Sequence, residues 1–149
     1  MKDTQNTRLK IKKNESNPDL IAYNFGKLPP QAIPLEEAVL GAVMIENDAL
    51  NNIVGKLHPD SFYLIAHQYI FSAIHSLFSR QKPVDALTVI EQLKADGNLD
   101  AAGGVNYIMG LTHKVASGAN AEAHASIITQ KYIQRELIRL SSETIQKAF

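Results

Sequence analysis

The residues of this chain that could do chemistry are few, and each is placed wrongly for it. A phosphate-binding loop needs G-x-x-x-x-G-K followed by Ser or Thr, so that backbone N–H groups cradle the phosphates and the hydroxyl meets Mg²⁺. Gly26-Lys27 is followed by Leu28 and Gly55-Lys56 by Leu57. The glycine five positions earlier is replaced by Ile21 and Leu50. The five histidines, His58, His67, His75, His113 and His124, include no pair at the i, i+4 spacing of a helical zinc site. His67 and His75 stand about two turns apart on one helix, which suits structural or surface histidines better than ligands. Glu36-Glu37 could serve acid–base work, but adjacent carboxylates in a first helical turn more simply complement the helix dipole. Gly103-Gly104 lacks the third glycine and the preceding strand of a dinucleotide site. Asp85 with Thr88 reads as a helix cap rather than a base and nucleophile. The expectation is therefore no catalytic, cofactor-binding or metal-ligating residue.

Composition agrees. Cysteine is absent, which removes disulfides, thiolate zinc sites and a cysteine nucleophile. Of 149 residues, 45% are hydrophobic and 20% charged, as in a globular domain with a real core. No apolar run approaches a membrane span, and no secretory signal is visible, so a cytoplasmic location is expected. Residues 1–27 carry six Lys/Arg against three Asp/Glu, a balance of +3, and residues 28–149 nine against twelve, a balance of −3. Residues 1–27 read as a flexible polar, basic tail. Its run Arg8-Leu-Lys-Ile-Lys-Lys13 suits either a solvated tail or contact with nucleic acid. The acidic remainder is a poor grip for phosphates.

The elements that must position these residues read as helix after helix, an all-α fold of five or six helices. Pro34 fits a first helical turn, and Ala38, Leu40, Gly41, Val43 and Met44 promise close packing. Asn47 or Asp48 can cap a short helix through Ile53, ended by Gly55. His58–Tyr63 reads as a single turn that sends Phe62 and Tyr63 into the core. Ala66–Gln81 carries Ile70, Ala73, Ile74 and Leu77 at helical spacing, widened by Phe71 and Phe78. Pro83-Val-Asp85 caps a helix lined by Leu87, Val89, Ile90 and Leu93 and closed by Asp96-Gly97. Gly103-Gly104 opens another through Val105, Tyr107, Ile108 and Leu111. Asn120 caps a long last helix to Phe149.

That last helix has two apolar seams. Ile133, Leu137 and Leu140 point one way, and Ile138, Ile145 and Phe149 cluster roughly 130° away at the helical angle per residue. The first seam is expected on the body of the domain. The second would then be an interface, with Tyr107 as a secondary contact. Ending in mid-helix with an unpaired seam, the chain reads as truncated before a second helix of a hairpin.

Several segments in order resemble the N-terminal domain of the DnaB-type replicative DNA helicases. They are Pro29-Pro-Gln31 with Glu36-x-x-Val39-Leu-Gly41, Phe62-Tyr63, Ala66-His-Gln68 with Ile70-Phe71, Pro83-Val-Asp85 with Thr88, and Gly103-Gly104 with Tyr107. Asn120 and the final helix complete the series, so the resemblance covers residues 28–149. It implies a non-catalytic collar domain that stops before the second hairpin helix, the linker and a RecA-like motor holding ATP and Mg²⁺. It also implies pairing with itself inside a hexameric ring, docking of the helicase-binding domain of primase and of a helicase loader, DNA contact through the motor, and no membrane partner. An unrelated all-α adaptor that binds a partner helix is the alternative.

Overall fold

The computed structural model describes residues 25–115 and 117–149. The basic run of residues 8–13, and the tail up to residue 24, lie outside the described residues, while Phe25 to Leu28 are exposed. Six α-helices are found among the described residues: α1 Ile33–Ile45, α2 Asn47–Ile53, α3 Ile65–Ser79, α4 Ala86–Ala95, α5 Gly104–His113 and α6 Ala121–Ala148, with a 3₁₀ turn Pro59–Ser61 before α3. No strand occurs among them. The described residues divide into two compact units, one of residues 30–136 and one of residues 137–149 with residues 25–29. α6 begins in the first unit and continues into the second.

Local chemistry starts and stops these helices. Pro34 occupies the first turn of α1, where its missing N–H costs nothing. α4 opens on a reciprocal cap: Thr88 N–H donates to Asp85 Oδ1 and Asp85 N–H to Thr88 Oγ1, both at 2.9 Å. Gly97, at φ +73°, closes it. α2 departs from expectation. Glu46, not Asn47 or Asp48, is its cap residue, and no side chain caps it. The Glu46 carboxylate instead accepts the Gly118 N–H at 2.9 Å, tying the turn before α6 to the α1–α2 junction.

The larger unit holds the core. Val39, Leu40, Ile53, Leu57, Phe62, Ile70, Phe71, Ile74, Val89, Leu93, Ile108, Leu111 and Ile128 are essentially inaccessible. The Phe62 and Phe71 rings meet at 5.0 Å, while Tyr63 is only half-buried. α1 packs hard on α5. A Cβ on Gly41 would stand 2.3 Å from the Leu111 carbonyl oxygen, so only glycine permits this approach. Leu87, expected to line α4, is 67% exposed. It lies on the outer side of a helix whose buried face is Ala86, Val89, Ile90 and Leu93.

The first seam of the last helix is also corrected. Ile133, Leu137 and Leu140 are exposed, and the buried face of α6 is Ala121, Ala125, Ile128 and Arg135.

Candidate functional site

The most highly organised polar cluster joins α1, α3 and α5. His67 lies on the same stripe of α3 as Ile70, Phe71 and Ile74, so helical periodicity carries it inward. Glu36 lies on the stripe of α1 that buries Val39, Leu40 and Val43. Both are essentially inaccessible, at 0% and 1%. A buried charge survives only with partners, and they are present. Glu36 Oε2 is 2.6 Å from His67 Nδ1, and Glu36 Oε1 accepts the Tyr63 N–H at 2.6 Å. Glu36 stands in the first turn of α1, as expected for a carboxylate that complements the helix dipole, but it is also buried there against His67.

The chain of contacts continues outward. His67 Nε2 is 2.6 Å from the Tyr107 hydroxyl, and the two rings stack at 6.1 Å, 9° from parallel. The Tyr107 oxygen stands 3.5 Å from Glu37 Oε1, and Lys114 Nζ donates to Glu37 Oε2 at 2.9 Å. Burial first, then the charge of Glu37 and its hydrogen bond, then Glu36, push the Tyr107 phenol up to about 12. Gly103 makes room for Tyr107. Its φ is +100°, and a Cβ there would meet the tyrosine ring at 2.6 Å.

Arg135 closes the cluster from α6. It donates to the Pro30 and Ser61 carbonyl oxygens, each at 2.9 Å, and lies over the Tyr63 and Tyr132 rings at 5.6 and 5.9 Å. Desolvation lowers the guanidinium from its ordinary range, opposed by Glu36, Tyr63, Glu136 and Tyr132.

His67 has both ring nitrogens engaged by neighbouring side chains. The other hydroxyl–imidazole pair, Ser79 with His75, is exposed. The serine donates to the His75 carbonyl at 2.8 Å, and its oxygen is 3.4 Å from Nδ1. No group of three or more metal-binding side chains gathers among the described residues. An open groove of about 1020 Å³ between α2 and the end of α3 is lined by Asn51, His75, Phe78, Lys82 and others, without convergent reactive groups. No helix among the described residues is long and apolar enough to cross a membrane.

Of the residues singled out as contacts, Tyr107 is half-buried in the relay, and Ile138 is half-buried. Ile145 is 58% exposed and Phe149 fully so. With Ile133, Leu137 and Leu140 also 49–59% exposed, α6 presents apolar side chains to water over much of its length. Glu36, His67 and Arg135 were not anticipated as a cluster. Their helical spacing from core residues was the available signal.

Comparison with known proteins places these features in context. The family model described as the DnaB-like helicase N-terminal domain matches residues 28–130. The Replicative DNA helicase DnaB of Rhodothermus marinus is 44% identical over 124 residues, which are 83% of this chain and 13% of that protein. The Replicative DNA helicase DnaC of Bacillus subtilis (strain 168) is 38% identical over 123 residues, 83% of this chain and 27% of that protein. The crystal structure of the N-terminal domain of DnaB helicase from Mycobacterium tuberculosis superposes with a TM-score of 0.77 at 36% identity, covering 80% of this chain and 85% of that one. The chain thus spans about a quarter or less of the curated relatives named here.

Proposed function

This chain belongs to the family of DnaB-like helicase N-terminal domains, and from that premise we propose that it is the collar of a replicative DNA helicase, serving ring assembly and partner docking. The alternative of an unrelated adaptor falls with the family match. The domain is non-catalytic. We assign ATP, Mg²⁺ and the main DNA contacts to the remainder of a full-length helicase, working in the cytoplasm.

The observation that carries the reading is the outer surface of α6. Leu137, Leu140, Ile145 and Phe149 are each about half exposed or more. Exposed apolar side chains along one helix mark interfaces, and covering them is worth about 25 cal/mol per Å². The occupant is a second copy of the domain, in dimer pairs within a hexameric ring. Ile138 and Tyr107 belong to the contact surfaces, and the helicase-binding domain of primase and the helicase loader dock on the assembled collar.

Sedimentation equilibrium tests this. The chain should self-associate, and Leu137→Asp with Ile145→Asp should shift it toward monomer with an unchanged far-ultraviolet dichroism spectrum. A chain that stays monomeric at all concentrations and ignores a primase helicase-binding domain would overturn the reading.

A further inference from the structure

The end of α3 and the first turns of α4 enclose a surface cleft of about 420 Å³, lined by Leu77, Pro83, Leu87 and Ala95 together with Arg80 and Lys82. That volume lies within the roughly 300–1,000 Å³ of ligand pockets. Leu77 is buried, whereas Leu87 is left 67% exposed. A lone exposed leucine is ordinary. This one shares a cleft with three other apolar side chains, so one further apolar group seated there would cover several at once.

The charge at the cleft is equally specific. Arg80 Nε donates to the Ser76 carbonyl at 3.3 Å, and a terminal nitrogen donates to the Gln92 side-chain oxygen, so the guanidinium is held between α3 and α4. The Lys82 N–H donates to the Leu77 carbonyl at 2.9 Å, which closes α3 and fixes where the second cation leaves the chain. Among the described residues neither cation has a carboxylate partner. The nearby carboxylates are engaged elsewhere. Glu91, on the cleft, pairs with Lys94 at 2.8 Å; Asp85 accepts the Thr88 N–H; Asp96 accepts the Gln92 amide at 2.9 Å. Residues 28–149 have a balance of −3, yet two uncompensated cations line this apolar cleft.

We propose that the cleft is a docking site for an acidic segment of another protein. One apolar anchor seats against Leu77, Pro83, Leu87 and Ala95, and flanking carboxylates meet Arg80 and Lys82. Charge complementarity selects this occupant. A nucleic-acid strand would satisfy the cations but leave the apolar wall uncovered. The site is separate from the outer face of α6 on which the proposed ring assembly rests.

The test uses the whole chain and a fluorescein-labelled synthetic peptide of aspartates around one central leucine, read by fluorescence anisotropy. The peptide should bind, and more weakly as salt rises. Leu87→Ser should weaken binding about tenfold, the scale of one apolar anchor. Serine in place of the peptide's leucine should cost as much. Arg80→Gln with Lys82→Gln should weaken binding and flatten its salt dependence. All three positions are exposed, so the melting midpoint should stay with the wild type. No binding by the wild type, or unchanged affinity in either variant, overturns the proposal. Oligothymidylate binding that needs Arg80 and Lys82 but ignores Leu87→Ser also overturns it, by making the cleft a phosphate site. Loss of self-association in the Leu87→Ser chain overturns it in favour of a second copy. A monomeric wild-type chain that still binds the peptide supports the cleft while overturning ring assembly through α6.

Discussion

His67 Nδ1 and Glu36 Oε2 lie 2.6 Å apart with both side chains sealed from water, so each is the other's condition for being in the core. Removing one partner strands the other. Glu36→Ala should therefore cost about 3–5 kcal/mol, since it removes the acceptor of the Tyr63 N–H and the partner of His67 Nδ1. Replacing both, as Glu36→Leu with His67→Phe, should cost clearly less than the sum of the single changes. Urea denaturation of the four proteins of the cycle measures this. Additive costs would mean that the pair is not coupled.

The Tyr107 phenol supplies a pH dependence of definite sign. Its folded value, about 12, is above the ordinary 10. The folded protein therefore keeps a proton that the unfolded chain releases first. Its stabilising contribution is complete below pH 10 and is lost as pH rises through about 12. Denaturation midpoints should fall across that window, and Tyr107→Phe should flatten part of the fall. An equal slope in the variant would assign the loss to other groups.

Three glycines should rank by their surroundings. Gly41→Ala drives a methyl against the Leu111 carbonyl, which cannot move aside, so it should cost at least the 1–3 kcal/mol usual for overpacking. Gly103→Ala meets the Tyr107 ring at a φ of +100° and should rank second. Gly104→Ala, at φ +84° with open space around it, should cost only about 1 kcal/mol of backbone strain. Thermal melts of the three variants give the order.

The apolar face of α3 predicts its own losses. Ile74 is fully buried and Leu77 nearly so. Either changed to Ala should cost about 2–5 kcal/mol, read from chemical denaturation midpoints. An unchanged midpoint would place the wrong face of α3 inward.

Much of the fold was legible because turn chemistry is local. The Asp85–Thr88 cap, the left-handed Gly97 and the Gly103 start of α5 each follow from a few adjacent residues. The stripe of α3 was legible because its apolar period is strong. The site was less so. Hydrophobicity hid Glu36, His67 and Arg135, which sit on core stripes but were weighed by residue type instead of by spacing. The same bias misplaced Leu87 and the Ile133, Leu137, Leu140 seam. There the more apolar side chains point outward, and the inner face is Ala121, Ala125, Ile128 and Arg135. Burial partners come from distant segments, and no local pattern names them.

Arg135 makes the last prediction, because it reaches furthest along the chain. On α6 it follows Ala121, Ala125 and Ile128 at helical spacing, and it is 7% exposed. Its two terminal nitrogens each donate to a different backbone carbonyl, Pro30 ahead of α1 and Ser61 ahead of α3, so three separate segments meet at one guanidinium. Its plane also lies over the Tyr63 and Tyr132 rings. A lysine can supply the charge but not two donors in a fixed fork or a flat face for stacking. Arg135→Lys should therefore destabilise substantially, by about 2 kcal/mol or more, close to the cost of leaving one buried carbonyl unpaired. Arg135→Met keeps the packing volume and avoids burying a charge, but orphans both carbonyls, and should cost at least as much. Hydrogen exchange separates the causes. Loss of the fork should speed exchange in the 3₁₀ turn and the first turn of α1 ahead of the α4 amides. If Arg135→Lys melts with the wild type and exchange is unchanged in those turns, the fork does not hold the segments together.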